Sequence, residues 1–172
     1  MSRWIPAVLA LMAALAGCGY HVSGRGALMP AGVKTIAIPA FGNVTPRNQL
    51  ARLLPADVTR EFISRIRYRI VADPNQADAV LNGTLTNFGN YPTIFDPASN
   101  RATGVQVVVN LRLELIERAT GKTIFSRPNM EVRERYEIST DPQAYFDESG
   151  TAIIRVSKDV AQSVVSAILE NF

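Results

Sequence analysis

Residues 105–117 read VQVVVNLRLELIE, and the reading of this stretch decides the fold. Val105, Val107, Val109, Leu111, Leu113 and Leu115 fall on alternate positions, with Gln106, Asn110, Arg112 and Glu114 between them. A strict period of two puts one set of side chains on each face of a strand, so one face is buried and the other meets water. Downstream, Ala119-Thr120-Gly121-Lys122 is a turn, and residues 122–127 (KTIFSR) continue as the paired strand. Residues 131–138 alternate again, with Val132, Tyr136 and Ile138 on one side and Glu131, Arg133, Arg135 and Glu137 on the other. Upstream, residues 80–88 form a strand with polar alternates, and residues 87–103 (NFGNYPTIFDPASNRAT) carry the glycine, prolines and turn residues of a long hairpin loop, either irregular or with extended arms.

The flanks supply the second layer. Residues 33–41 (VKTIAIPAF) form the first strand, with Pro39 at an edge or at its end. Thr45-Pro46 starts a helix, and Leu50, Leu53, Leu54, Val58, Phe62 and Ile66 recur at helical spacing. Pro55 either kinks this helix or marks a later start. Residues 68–72 (YRIVA) are a short strand, and Asp73-Pro74-Asn75 a turn. Asp141-Pro142 opens a second helix whose Ile153, Val156, Val160, Val164 and Ile168 form one apolar stripe, with Gly150 a point where it can divide. The fold class is α+β: a two-layer sandwich, two helices on one face of a mostly antiparallel sheet of four or slightly more strands. The other sheet face is left polar.

The N-terminus has the parts of an export signal: Arg3, an apolar run over residues 5–15 (IPAVLALMAAL), then Ala16 and Gly17. The run is shorter than the ~20 residues that span a bilayer. Leu15-Ala16-Gly17-Cys18 resembles the bacterial lipobox, in which the cysteine is lipidated and the chain is cut before it. The expected division is a signal peptide at 1–17, a lipidated tether at 18–32 and one domain at 33–172. Cys18 is the sole cysteine, so no intramolecular disulfide forms. Gly19 after it implies, by the rules of that resemblance, transfer to the outer membrane. An extended tether of this length reaches about 45 Å.

Composition narrows the function. With 18 basic and 15 acidic residues, the chain lacks the charge pattern of a nucleic-acid binder. The one histidine, His21, lies in the tether, so a zinc site or a Ser–His–Asp set is not expected. No phosphate-cradling glycine loop opens a helix. Asp147-Glu148 reads as a pair of helix-start carboxylates. No catalysis, metal or cofactor is expected. The candidate chemistry is cationic: Arg112, Lys122, Arg133 and Arg135 on or near the polar strand faces, with Arg101 in the loop. Guanidinium forks fit phosphate oxygens. The plain reading is a solvated face on which Glu114, Glu131 and Glu137 neutralise them. Phe88, Tyr91, Ile94 and Phe95 make the loop aromatic, for packing on the sheet end or for insertion into a partner or lipid.

Three stretches carry a resemblance: Cys18-Gly19-Tyr20-His21-Val22, residues 28–41 (LMPAGVKTIAIPAF) and Asn43-Val44-Thr45. Together they resemble the opening of the LptE lipoproteins of lipopolysaccharide assembly. The resemblance implies two helices on a four-stranded sheet and a place as plug inside the LptD β-barrel, whose assembly it aids. It also implies outer-membrane location facing the periplasm and contact with lipopolysaccharide through basic residues on the sheet and loops. Arg101, Arg112, Lys122, Arg133 and Arg135 are the candidates by charge and place. The alternative is a lipoprotein that chaperones or tethers another envelope complex, such as a secretin.

Overall fold

A computed structural model describes residues 32–65, 68–97, 100, 102–137 and 142–171, with backbone alone for 142–150. Cys18, Arg101, Ile66, Ile138 and Asp141 lie outside the described residues. The element order is β1 (Thr35–Ala37), β2 (Gly42–Asn43), α1 (Asn48–Arg65), β3 (Arg69–Val71), a 3-10 turn (Pro74–Gln76), β4 (Ala79–Phe95), β5 (Ala102–Glu117), β6 (Thr123–Glu137) and α2 (Pro142–Leu169).

The alternation in β5 does what its sequence dictates. Val107, Val109, Leu111, Leu113 and Leu115 are all buried, and β5 sits between β4 and β6, antiparallel to both. The sheet has six strands in the order β3-β1-β4-β5-β6, with β2 also on β4. The short strands β1, β2 and β3 run parallel, as β1 on β3 and β4 and as β2 on β4. The architecture is therefore α+β, two helices and a mostly antiparallel sheet.

Both helices bury the same face. Leu50, Leu54, Val58 and Phe62 of α1 meet Val156, Val160, Val164, Val165 and Ile168 of α2 over the strand residues. A polar link joins the two helices in this core: buried Asp57 of α1 accepts hydrogen bonds from Arg60 and from the Ser157 hydroxyl of α2. Further along, Arg65 Nη1 donates to Ser166 Oγ at 2.7 Å. The order of these contacts in both helices shows that α1 and α2 run parallel. At the other margin of the layer, Tyr136 Oη of β6 donates to Asp159 Oδ2 of α2 at 3.2 Å, and burial raises the Tyr136 phenol above its ordinary range.

Asp78 ties β1 to the start of β4. Its Oδ2 accepts from Lys34 N and Thr35 N at 2.9 Å and from Thr35 Oγ1 at 2.8 Å. Those donors, the Lys34 amide first, hold its carboxyl below the usual range.

Several sequence expectations are corrected. The expected first strand at 33–41 is shortened to β1 and ends before Pro39, which has no N–H for a ladder, and β2 lies beyond it at Gly42–Asn43. α1 begins before Pro55 and continues past it, so Pro55 does not mark its start, and α2 continues through Gly150. Thr45 is not the residue before α1; its Oγ1 accepts from Arg47 N at 3.1 Å, and the helix begins at Asn48. Residues 123–127 and 131–137 do not form two strands. They join as β6, with a register irregularity opposite the Leu111–Leu113 step. The hairpin at 87–103 takes the extended-arm form. β4 continues to Phe95 and β5 begins at Ala102, since a facing strand satisfies the backbone groups that turn-rich composition alone assigned to a loop.

Candidate functional site

Cross-strand partners share a face, so the register locates every side chain of the open sheet face. On β5 that face carries Gln106, Val108, Asn110, Arg112 and Glu114. Opposite them on β4 stand Tyr91, Gly89, Asn87, Thr84 and Asn82. On β6, Arg135, Arg133 and Glu131 face Gln106, Val108 and Asn110. Arg112, Arg133 and Arg135 thus share one surface. Arg133 and Arg135 lie about 7 Å apart along β6, and Arg112 lies about 14 Å further down the sheet. Lys122 stands away from them, in the β5–β6 turn, where its carbonyl accepts from Glu117 N at 2.9 Å.

The guanidinium groups are not equivalent. Arg133 is held by Glu131, with Nε–Oε1 and Nη2–Oε1 both at 2.6 Å. That contact, the Arg133 hydrogen bond first and Asn110 second, holds the Glu131 carboxyl below its ordinary value. Arg112 and Arg135 make no ion pair among the described residues. They are the face's available cations.

Glu131 ends a polar chain that crosses three strands. Asn87 Nδ2 donates to Asn110 Oδ1 at 3.2 Å, and Asn110 Nδ2 donates to Asn129 Oδ1 at 3.0 Å and to Glu131 Oε2 at 3.4 Å. Asn110 is only 8% exposed, although it sits on the water-facing side. The chain crosses the sheet where both outer strands have register irregularities, after Leu85 in β4 and opposite the Leu111–Leu113 step in β6. Thr86 Oγ1 adds a bond to Asn110 O at 3.0 Å. Sequence reasoning noted Asn110 only as a polar alternate. The available signal was asparagine in three successive strands, a residue that strands disfavour.

Beyond that crossing the β4–β5 hairpin changes character. Tyr91 and Phe95 are each 53% exposed and Ile94 46%. Tyr91 lies over Gly89, where an added Cβ would come within 2.7 Å of its ring. Phe88 lies on the helix side, with the Arg47 guanidinium 5.2 Å from its ring centroid. The sequence had grouped Phe88 with the other three; the register separates it from them. The structure does not describe Arg101. Among the described residues no helix is long and apolar enough to cross a membrane.

Known structures share this arrangement. A lipoprotein from Caulobacter crescentus CB15 is 14% identical, with 77% of this chain and 87% of that one covered at a TM-score of 0.51. The PelC dodecamer subunit from Paraburkholderia phytofirmans is 16% identical, with 80% and 90% covered at 0.52. Protein XCC0632 from Xanthomonas campestris is 15% identical, with 83% and 90% covered at 0.50. At these identities the likeness is one of fold. No curated protein sequence matches the chain. The LptE family model, described as lipopolysaccharide-assembly, matches residues 33–168, which is most of the chain. By that match, and by the two-helix, one-sheet fold just described, the chain belongs to the LptE family of lipopolysaccharide assembly.

Proposed function

We propose that this protein is a non-enzymatic outer-membrane lipoprotein that seats in an LptD-type β-barrel, assists its assembly and takes part in passing lipopolysaccharide to the outer leaflet. In this reading residues 1–17 are removed, lipid on Cys18 anchors the chain on the periplasmic side, residues 18–32 are the tether and residues 33–172 are the working domain. Two or more acyl chains make such an anchor stable. A barrel lumen is polar, and a mixed-charge domain surface suits it.

The observation that carries the reading is the pair of unengaged guanidinium groups, Arg112 and Arg135, on a sheet face whose third arginine is already neutralised by Glu131. Phosphate groups on a glycolipid are matched by such forks. The Arg112→Gln/Arg135→Gln double variant is expected to weaken lipopolysaccharide binding roughly 10-fold, since exposed charge contacts are each worth about 1 kcal/mol or less. Arg133→Gln is expected to weaken it less. Fluorescence titration with purified lipopolysaccharide checks both, and unchanged affinity in the double variant removes the assignment.

A further inference from the structure

The sheet has two free long edges among the described residues, and they are defended differently. β6 carries Arg127, Glu131, Arg133, Glu134, Arg135 and Glu137, together with Pro128 and a register irregularity. Charges, prolines and bulges are the devices that keep a sheet edge from pairing with a foreign strand. The far half of β4, from Asn87 to Phe95, pairs with β5 on one side and with no described strand on the other. β4 contains no charged residue over its whole length. Its defences are Pro92 and the register irregularities between Pro92 and Phe95, so the stretch from Asn87 to Tyr91 has none.

This edge is a vacated position in the sheet. β1 and then β2 lie in line along the near half of β4, at Ala79–Val80 and Thr84–Leu85. That line stops because the Asn43 side chain turns the chain away: Nδ2 donates to Thr45 O, and Oδ1 accepts from Thr45 N and Thr45 Oγ1, all at 2.9 Å. Among the described residues the last backbone bond on this side is Val44 N to Leu85 O at 3.1 Å. Alternation past the irregularity after Leu85 then turns the main-chain groups of Phe88 and Asn90 outward. Pro92 shares their parity, and its missing N–H costs β5 nothing there.

We propose that this lane receives an extended, uncharged segment of the partner β-barrel's chain, which adds to β4 as a strand where β2 leaves off. The proposal rests on the barrel reading above and names the contact that reading lacks. Lipid hydrocarbon is a poor occupant, because unsatisfied backbone groups do not enter it. Two copies paired about a two-fold axis would meet Pro92 twice and forfeit two bonds, whereas a foreign segment forfeits one. A segment that supplies its own alternating N–H and C=O groups satisfies the rest, and the absence of charge on β4 lets it approach.

The test is single-amide hydrogen exchange on the full chain, alone and in the detergent-solubilised complex with its barrel. In the complex the Phe88 and Asn90 amides are expected to exchange at least ~10-fold more slowly, while Gly89 and Tyr91, bonded to β5 in both states, change little. Asn90→Pro removes an outward N–H and should weaken the complex roughly 3- to 10-fold, with Asn90→Ala close to wild type. A complex that forms with Phe88 and Asn90 exchanging as in the free chain overturns the lane and leaves the barrel reading standing. Equal affinity of Asn90→Pro and Asn90→Ala does the same. Protection that appears in the isolated chain on concentration assigns the lane to a second copy and overturns the proposal. Failure of any barrel to copurify defeats the barrel reading, and the named occupant with it. Should Asn90→Pro not fold, the wild-type exchange pattern decides by itself.

Discussion

The near and far halves of the β4–β5 hairpin are built from the same two strands, yet they live in different surroundings. In the near half Leu81, Leu85, Leu111, Leu113 and Leu115 are fully buried beneath α1 and α2. In the far half every β4 residue from Asn90 to Phe95 is exposed, although the strand pairing continues to Phe95 and Ala102. Strand pairing is therefore not what buries a residue here; the helix layer is. Backbone hydrogen bonds extend the sheet past its core, and the near half holds it in place. The far half is free to meet a partner because the core does not need it.

The strongest way to break this contrast is to delete matched side chains. Leu113→Ala is expected to cost about 2–5 kcal/mol, through lost transfer energy and the cavity left behind. Ile94→Ala is expected to cost at most ~0.5 kcal/mol, since Ile94 is already 46% exposed. Urea denaturation of both variants measures the difference. Similar losses would mean that the far half carries core energy after all.

A finer comparison uses two glycines of β4. A Cβ on Gly83 would lie 2.6 Å from the ring of Phe41, which is 7% exposed and packed in the core. Gly83→Ala should therefore destabilise by about 1–3 kcal/mol. A Cβ on Gly89 meets the Tyr91 ring just as closely, at 2.7 Å, but that ring stands in solvent and can swing aside. Gly89→Ala should change the melting temperature little, while altering the Tyr91 fluorescence. A large loss at Gly89 would show that Tyr91 is fixed rather than free.

The smallest effects are in pH. The Asp78 carboxyl is held below its ordinary 3.8 by the Lys34 and Thr35 donors. Its stabilisation is present above that value and is lost as the pH falls through the lower folded value. Glu134 has the opposite sign, because burial first and the Asp159 charge second raise it above 4.5. Its contribution is present below 4.5 and is lost as the pH rises through the higher folded value. Melting curves from pH 3 to 7 should therefore show Asp78→Asn losing its deficit toward acid, and Glu134→Gln gaining most toward neutrality. Parallel curves for the two variants would refute the assigned signs.

Much of this was legible in advance. The period of two in residues 105–117 gave the buried face of β5, and the apolar spacing in 50–62 and 153–168 gave the helix faces. Placing Arg112, Arg133 and Arg135 on the polar side followed from the same alternation. Their inequality was not legible, because it depends on Glu131 reaching Arg133 and on no acid among the described residues reaching Arg112 or Arg135. The choice between an irregular loop and extended arms for Asn87 to Phe95 was not legible either. The glycine, proline and asparagine content there favours turns locally, and only the facing residues of β5 outweigh that preference.

The sequence by itself determined which faces are apolar, the order of the main elements and the family, since these follow from local periodicity and from motif residues close together in the chain. Only the tertiary structure decided where the strands end, how the two irregularities set the registers, which asparagines meet and which sheet edge is left open. Those depend on backbone groups finding partners far away in sequence, and no local pattern records which partner is found. The lane beside Phe88 and Asn90 is the clearest case: it opens where a side-chain bracket at Asn43 turns the chain away, far earlier in the sequence.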